Sequence, residues 1–396
     1  MDPAISGHPD CDCLPPGLPC STMAIGEGEY AQSRIGAVEV TEAVTSIGDN
    51  AFAACRYLQR AVLDCQIEAI PNGLCRRCAS LVFVRLPQSA RVIGSGAFEG
   101  CWSLPGIVLP QSLEVIGGSA FADCGLQYVH LPATVRLIGA AAFCDCVLLR
   151  GVVLSPELKA INIRTFAGCT SLETVAVPDG VEEIGLSAFQ GCEALHAVDL
   201  PRTLKRIKGY AFAGCRALEK LYIPQSVEEI GPHAFEGCEG LRVVHIPSAL
   251  ESLGEHAFAN CRSLEYALLP EGELRSIGNG AFAGCGGLRE IDLPRSVESI
   301  GEYAFAGCRS LTKVLLPESV TQVARGAFAD CSALATVHLP SRLDIIAPMT
   351  FLRCCSLMSV AMPRAIREVG HGAFRGCPKL AKTLATRADP IMSNWV

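Results

Sequence analysis

The chain has no surplus of positive charge: 33 Lys and Arg stand against 40 Asp and Glu, a formal net charge of −7 with a pI near 5.7. No basic footprint for a nucleic-acid backbone exists, so no nucleic acid is expected as partner. Long hydrophobic runs are also missing. No stretch approaches the ~20 apolar residues that cross a bilayer, so no membrane span is expected. The N-terminal "MDPAISGHPDCDCLPPGLPC" has neither the basic flank nor the apolar centre of a secretion signal. A cytoplasmic location is the expectation, with the cell surface as the alternative if a leader precedes this sequence. The usual catalytic signatures are absent too. There is no G-x-S-x-G, H-E-x-x-H, P-loop or dinucleotide fingerprint in a usable context, and "IGEGEY" is too short and lacks the strand and helix such a fingerprint needs. No enzyme activity, cofactor or resident metal is expected.

What the 396 residues do contain is a composition half apolar and 18% charged, enough for two or three domains or one elongated repeat domain. The repeat decides between them. An Ala-Phe pair, or its near equivalent, recurs with the ring at Phe52, Phe98, Phe121, Phe143, Phe166, Phe189, Phe212, Phe235, Phe258, Phe282, Phe305, Phe328, Phe351 and Phe374, and Cys75 fills the missing slot. This makes fifteen units of about 23 residues, the signature of a solenoid whose units pack only against their neighbours. Two units depart from the period: 124–132 lacks one residue, and 269–278 carries one extra.

Within a unit such as 218–240, Leu221 and Ile223 lie two apart, which sends both side chains to one face of a short strand. Proline follows the strand in twelve units and, lacking an N–H, ends the pairing there. Val227 and Ile230 return to the core, and Ala234-Phe235 fit one helical or 3₁₀ turn on the opposite side. The residue before each repeat cysteine is Gly in eight units and Asp123, Asp145, Asn260 or Asp330 in four more, types that tolerate left-handed geometry at a C-cap. The Gly after Ile is different, because Pro71, Lys208 and Ala324 replace it, and it is read as supplying close packing or loop freedom and not left-handed geometry.

With L-x-x-V-x-L-P and I-G-x-x-A-F-x-G-C both recurring, the chain resembles the BspA-like, or Treponema pallidum-type, leucine-rich repeats over about 350 residues. Similar proteins are bacterial and protist surface proteins, several of them adhesins for host or matrix proteins. The resemblance implies a right-handed, curved superhelix with its parallel sheet on the concave side. The expected fold is therefore an α/β, β-rich repeat solenoid of about 15 coils, with a continuous parallel sheet and short helical turns opposite. Residues 1–34 are read as a Pro- and Cys-containing leader, poorly ordered or a partial cap, 35–384 as the array, and 385–396 as a tail.

Fifteen of the 22 cysteines form a ladder from Cys55 to Cys377, one per unit. A small buried hydrophobe with a weak S–H donor explains them. Coils ~4.8 Å apart hold sulfurs in single file, unsuited to tetrahedral zinc, and side chains in register rarely reach disulfide torsion. Free thiols and a reducing compartment are expected. Off the ladder lie Cys11, Cys13, Cys20, Cys65, Cys75, Cys144 and Cys355. Cys11, Cys13 and Cys20, with His8 nearby, match no standard zinc spacing and are read as part of the leader, while Cys75 is expected to leave its coil underpacked. His233, His256 and His371 fall at polar variable positions.

The units differ where strand residues point outward. From Ala197 to His338 the outward pairs bring Tyr222, His245 and Leu268 into one row, with Tyr266 beside them and Lys220, Glu290 and Asp292 around. Exposed aromatic residues flanked by charge resemble a binding hot spot. His245 and Asp292, two coils apart, do not form a ready catalytic pair. The expected function is a non-enzymatic scaffold that binds a protein through its sheet face, with a cell-surface adhesin as the alternative. Fourteen steps of ~4.8 Å give a sheet arc on the order of 65 Å, ample for ~800 Å² per partner.

Overall fold

A strand of three residues cannot satisfy its own backbone, so each unit's hydrogen bonds must go to the units on either side. The computed structural model, which describes residues 23–380, shows how. Lys220–Tyr222 pairs in parallel with Val243–His245, in the register Lys220↔Val243, Leu221↔Val244 and Tyr222↔His245. Repetition of this step builds an eleven-stranded parallel sheet from Tyr128–His130 to Ser359–Ala361, with strands in chain order. Three earlier strands, Ala37–Val40, Arg60–Leu63 and Phe83–Arg85, form a separate piece.

The expected continuity fails at one coil. The intervening coil meets the first piece in an isolated bridge, Arg85↔Val108, and the eleven-stranded sheet through Gln127 N–H, which donates to the Pro105 carbonyl at 3.0 Å. Pro105 stands where the neighbouring coils have a donor, and without an N–H the ladder cannot close.

A second sheet runs beside the first. After the proline corner each coil makes a two-residue strand, as at Glu229–Ile230, and eight of these pair in order from Ala160–Ile161 to Gln322–Val323. Ile230 points into the core at 2% exposure while its neighbour faces out.

The side carrying Ala-Phe is a ribbon of overlapping turns and not the helical turn expected. Ala211, Ala213 and Cys215 donate to the carbonyls of Lys208, Tyr210 and Phe212 in their own coil, while Tyr210, Phe212 and Gly214 donate to Pro232, Ala234 and Glu236 of the next. Alternate N–H groups are thus committed to the neighbouring coil, and left-handed residues at Tyr210 (φ 56°) and Gly214 (φ 75°) stop a helix from propagating. Among the described residues, helix occurs only at 378–380.

Both glycine expectations are met. All fifteen residues before the repeat cysteines have positive φ, including Asp123, Asp145, Asn260 and Asp330. The Gly after Ile instead lies flush on the preceding coil: a Cβ at Gly231 would come 2.5 Å from the backbone nitrogen of Gly209.

The core between these sides is one continuous cluster. Thirteen rings from Phe98 to Phe374 stack at centroid distances of 5.1–5.7 Å with planes within 11° of parallel. Cys75 interrupts the column, but its coil is compensated: Leu74, fully buried, occupies the slot that holds Ala in most coils. At the N-terminal end, Ala24–Ile25 pairs with Ser46–Ile47 and Tyr30 stacks on Phe52 at 5.6 Å. The stretch "IGEGEY" is therefore a degenerate coil with Tyr30 in the ring position, inside the region read from sequence as leader. Cys11, Cys13, Cys20, His8 and the tail 385–396 lie outside the described residues.

Candidate protein-binding face

Each repeat cysteine fixes the corner from which its strand departs. Its Sγ donates to the main-chain carbonyl of the ring-position residue one coil earlier, at 3.0–3.3 Å on all fifteen rungs. The nineteen cysteines of the described residues are free thiols, and all but Cys355 are buried. Burial pushes the Cys146 and Cys331 thiols up to about 12, which keeps the proton that the bond requires. The sequence suggested a space-filling residue; the structure adds a hydrogen bond from coil to coil.

On that support, the strand pairing aligns the outward side chains. Tyr222, His245, Leu268 and Asp292 fall in one row and Lys220, Val243, Tyr266 and Glu290 in the other, in the order expected. Tyr222 is 63% exposed, Leu268 47% and Tyr266 38%. His245 and Asp292 remain separated by the strand of Leu268, as the register requires.

The one-residue insertion after Tyr266–Leu268 shapes this area. Glu273 N–H reaches Ser248 at 3.0 Å, and a Cβ at Gly272 would stand 2.3 Å from the Ser248 carbonyl, so only glycine fits. The displaced corner raises Pro270 as a wall beside His245, Tyr266, Leu268 and Glu290, around a depression of about 380 Å³. It also leaves Ser296 Oγ buried without a partner among the described residues, whereas the equivalent Ser226 and Ser319 donate to Leu204 and Val297 of the preceding coil.

Outward positions before Ala197 carry more apolar surface still. Val108 is 81% exposed, Tyr128 64% and Val153 54%, while the Arg60 guanidinium lies 4.7 Å over the Phe83 ring. Trp102 and Tyr57, 65% and 61% exposed, flank them on the turn after the cysteine corner. The strand periodicity that located Tyr222 also marks Val108, Tyr128 and Val153. Trp102 and Tyr57 lie outside it and carry no such signal.

On the opposite side, His233 is sandwiched between Tyr210 at 4.5 Å and His256 at 5.0 Å, and its Nδ1 lies 2.7 Å from Glu236 Oε2. These rings sit on left-handed residues (Tyr210, His233 and His256, φ 51–58°) and form a stacked surface column. His371 is exposed.

Comparison with known proteins agrees with this geometry. A family model described as the BspA type leucine-rich repeat region matches residues 23–150, 138–265 and 275–387. A leucine-rich repeat protein from Bacteroides ovatus is similar at 28% identity over 87% of this chain and 84% of its own, with a TM-score of 0.68. A T. pallidum leucine-rich repeat protein is 35% identical over 46% of this chain and 86% of its own, TM-score 0.43. A leucine-rich cell surface protein from Faecalibacterium prausnitzii is 25% identical over 81% of this chain and 86% of its own, TM-score 0.48. No curated protein gives a significant match. Among the described residues, no helix is long and apolar enough to cross a membrane. With its Pro, Ala-Phe and Cys positions all placed on stacked parallel coils, the chain belongs to the BspA-type leucine-rich repeat family.

Proposed function

We propose that this protein is a non-enzymatic scaffold that binds another protein through the outward face of its three-residue strands. The observation that carries this reading is the row of exposed rings and aliphatic side chains held in register by coil-to-coil hydrogen bonds. Tyr222, Tyr266 and Leu268 lie around the depression at the insertion, and Val108, Tyr128 and Val153 form the second cluster. Such residues bury large apolar area at low entropic cost when their backbone is already fixed. We place Lys220, Glu290 and Asp292 at the polar rim. We take the long-strand sheet as the inner side of a right-handed curve, by analogy with the family. A reducing compartment suits the eighteen buried free thiols among the described residues.

The test is affinity capture from the native cell with the wild type, a Tyr222→Ala/Tyr266→Ala variant and a Val108→Ala/Tyr128→Ala variant. Loss of the same specific protein by either variant, with unchanged melting, supports the reading. Retention of every partner by both overturns it.

A further inference from the structure

We propose a second site on the rim where the chain enters the sheet, one that takes a phosphate monoester carried on a peptide. On this rim the residues after Cys192, Cys215, Cys238 and Cys261 form two ion pairs between coils. Arg216 reaches Glu193 of the preceding coil at 3.5 Å, and Arg262 reaches Glu239 at 3.8 Å. The next pair in the alternation would join Arg309 to residue 286. That residue is Gly286, and the Arg309 guanidinium has no hydrogen-bond or ion-pair partner among the described residues.

At Gly286 nothing lies within 4 Å of where a Cβ would stand, and a depression of about 780 Å³ surrounds Gly287. Arg242, Arg289 and Arg309 line it together with the hydroxyls of Ser263, Ser310 and Thr312. The Arg242 guanidinium is also unpartnered among the described residues, whereas Arg289 meets Glu265, the one carboxylate in the lining, at 3.5 Å. Three guanidinium groups and one carboxylate leave a local charge of 3 − 1 = +2. A phosphate monoester brings about −1.5 to −2 and three acceptor oxygens, matching both the charge and the forked donors. A single carboxylate matches neither.

The site uses neither Tyr222 nor Tyr266, so failure of the sheet-face reading would leave it untouched. Its test is titration of the purified protein with Gly-Gly-phosphoserine-Gly-Gly, the same peptide unphosphorylated, the same peptide with glutamate at the centre, and a short single-stranded oligonucleotide. The phosphopeptide is expected to bind at least about tenfold more tightly than the other three, and inorganic phosphate to displace it. Arg309→Gln should weaken it about tenfold, the loss of one charge-assisted contact. Gly286→Glu, which supplies the missing pair partner, should abolish binding without lowering the melting temperature, whereas Arg202→Gln should change nothing. Equal binding of the phosphorylated and unphosphorylated peptides, equal binding of the oligonucleotide, or full affinity in Gly286→Glu would overturn the assignment.

Discussion

Replacing Cys215 by alanine removes a 3.2 Å S–H donor to Phe189 and the volume that fills a fully buried corner. The Phe189 carbonyl keeps the Cys192 N–H, so no orphaned acceptor results. The loss should therefore stay near 2 kcal/mol, about half from the hydrogen bond and half from packing. Cys215→Ser restores a donor in less space and should recover part of the loss. Denaturant midpoints at constant slope measure both, and a serine variant as unstable as the alanine one would remove the hydrogen bond from the account. Two glycines give a parallel contrast. At Gly231 a Cβ meets backbone at 2.5 Å, so Gly231→Ala should force the coils apart at a cost of roughly 2 kcal/mol. At Gly106 nothing lies within 4 Å, and Gly106→Ala should be neutral or slightly stabilising.

Among the elements, the coil 74–78 shows how far the consensus can bend. Leu74 and Cys75 exchange the usual small-large order of Ala-Phe while remaining buried at 0% and 1%. Cys75→Phe alone should overpack that coil and lose about 1–3 kcal/mol, because Leu74 occupies volume that the neighbouring coils leave free. Leu74→Ala/Cys75→Phe should join Phe52 to Phe98 and return stability to at least wild type. A double-mutant cycle reads this as strongly favourable coupling, and additive losses would rule the exchange out. The same coil explains what the sequence could and could not disclose. The spacing of Leu221 and Ile223 forces a strand, and the Gly, Asp or Asn before Cys forces a left-handed corner, so both were legible. The two-residue strands were not, because two residues are too few to show an alternation and their pairing partner lies about 23 residues away. The turn ribbon reads like a helical turn because its local bonds are i to i−3. What separates them is positive φ at Tyr210, which no residue type announces. At the candidate face, register placed Tyr222, Tyr266 and Leu268 correctly, whereas the wall at Pro270 depends on how an inserted residue is absorbed.

At the scale of the whole molecule, the cysteine ladder couples stability to pH. Burial pushes twelve of the corner thiols up, from Cys124 to Cys377, with Cys146 and Cys331 at about 12. In the unfolded chain a thiol ionises near 8.5. A raised native value means that the folded state holds protons the unfolded state has released, so this contribution is complete below about pH 8.5 and falls as pH rises through the native values. Each thiol whose proton is lost only on unfolding removes about 1.4 kcal/mol per pH unit. Because neighbouring coils must open together, the losses add across a cooperative block, and even four coils would forfeit about 5 kcal/mol between pH 9.5 and 10.5. The urea midpoint should be flat from pH 6 to 8 and drop steeply above pH 9. Iodoacetamide at pH 8 should modify the exposed Cys355 and spare the corner cysteines until urea unfolds their coils. A midpoint that stays flat to pH 11, or alkylation of corner cysteines in the native protein, would show that the coils do not depend on protonated, buried sulfur.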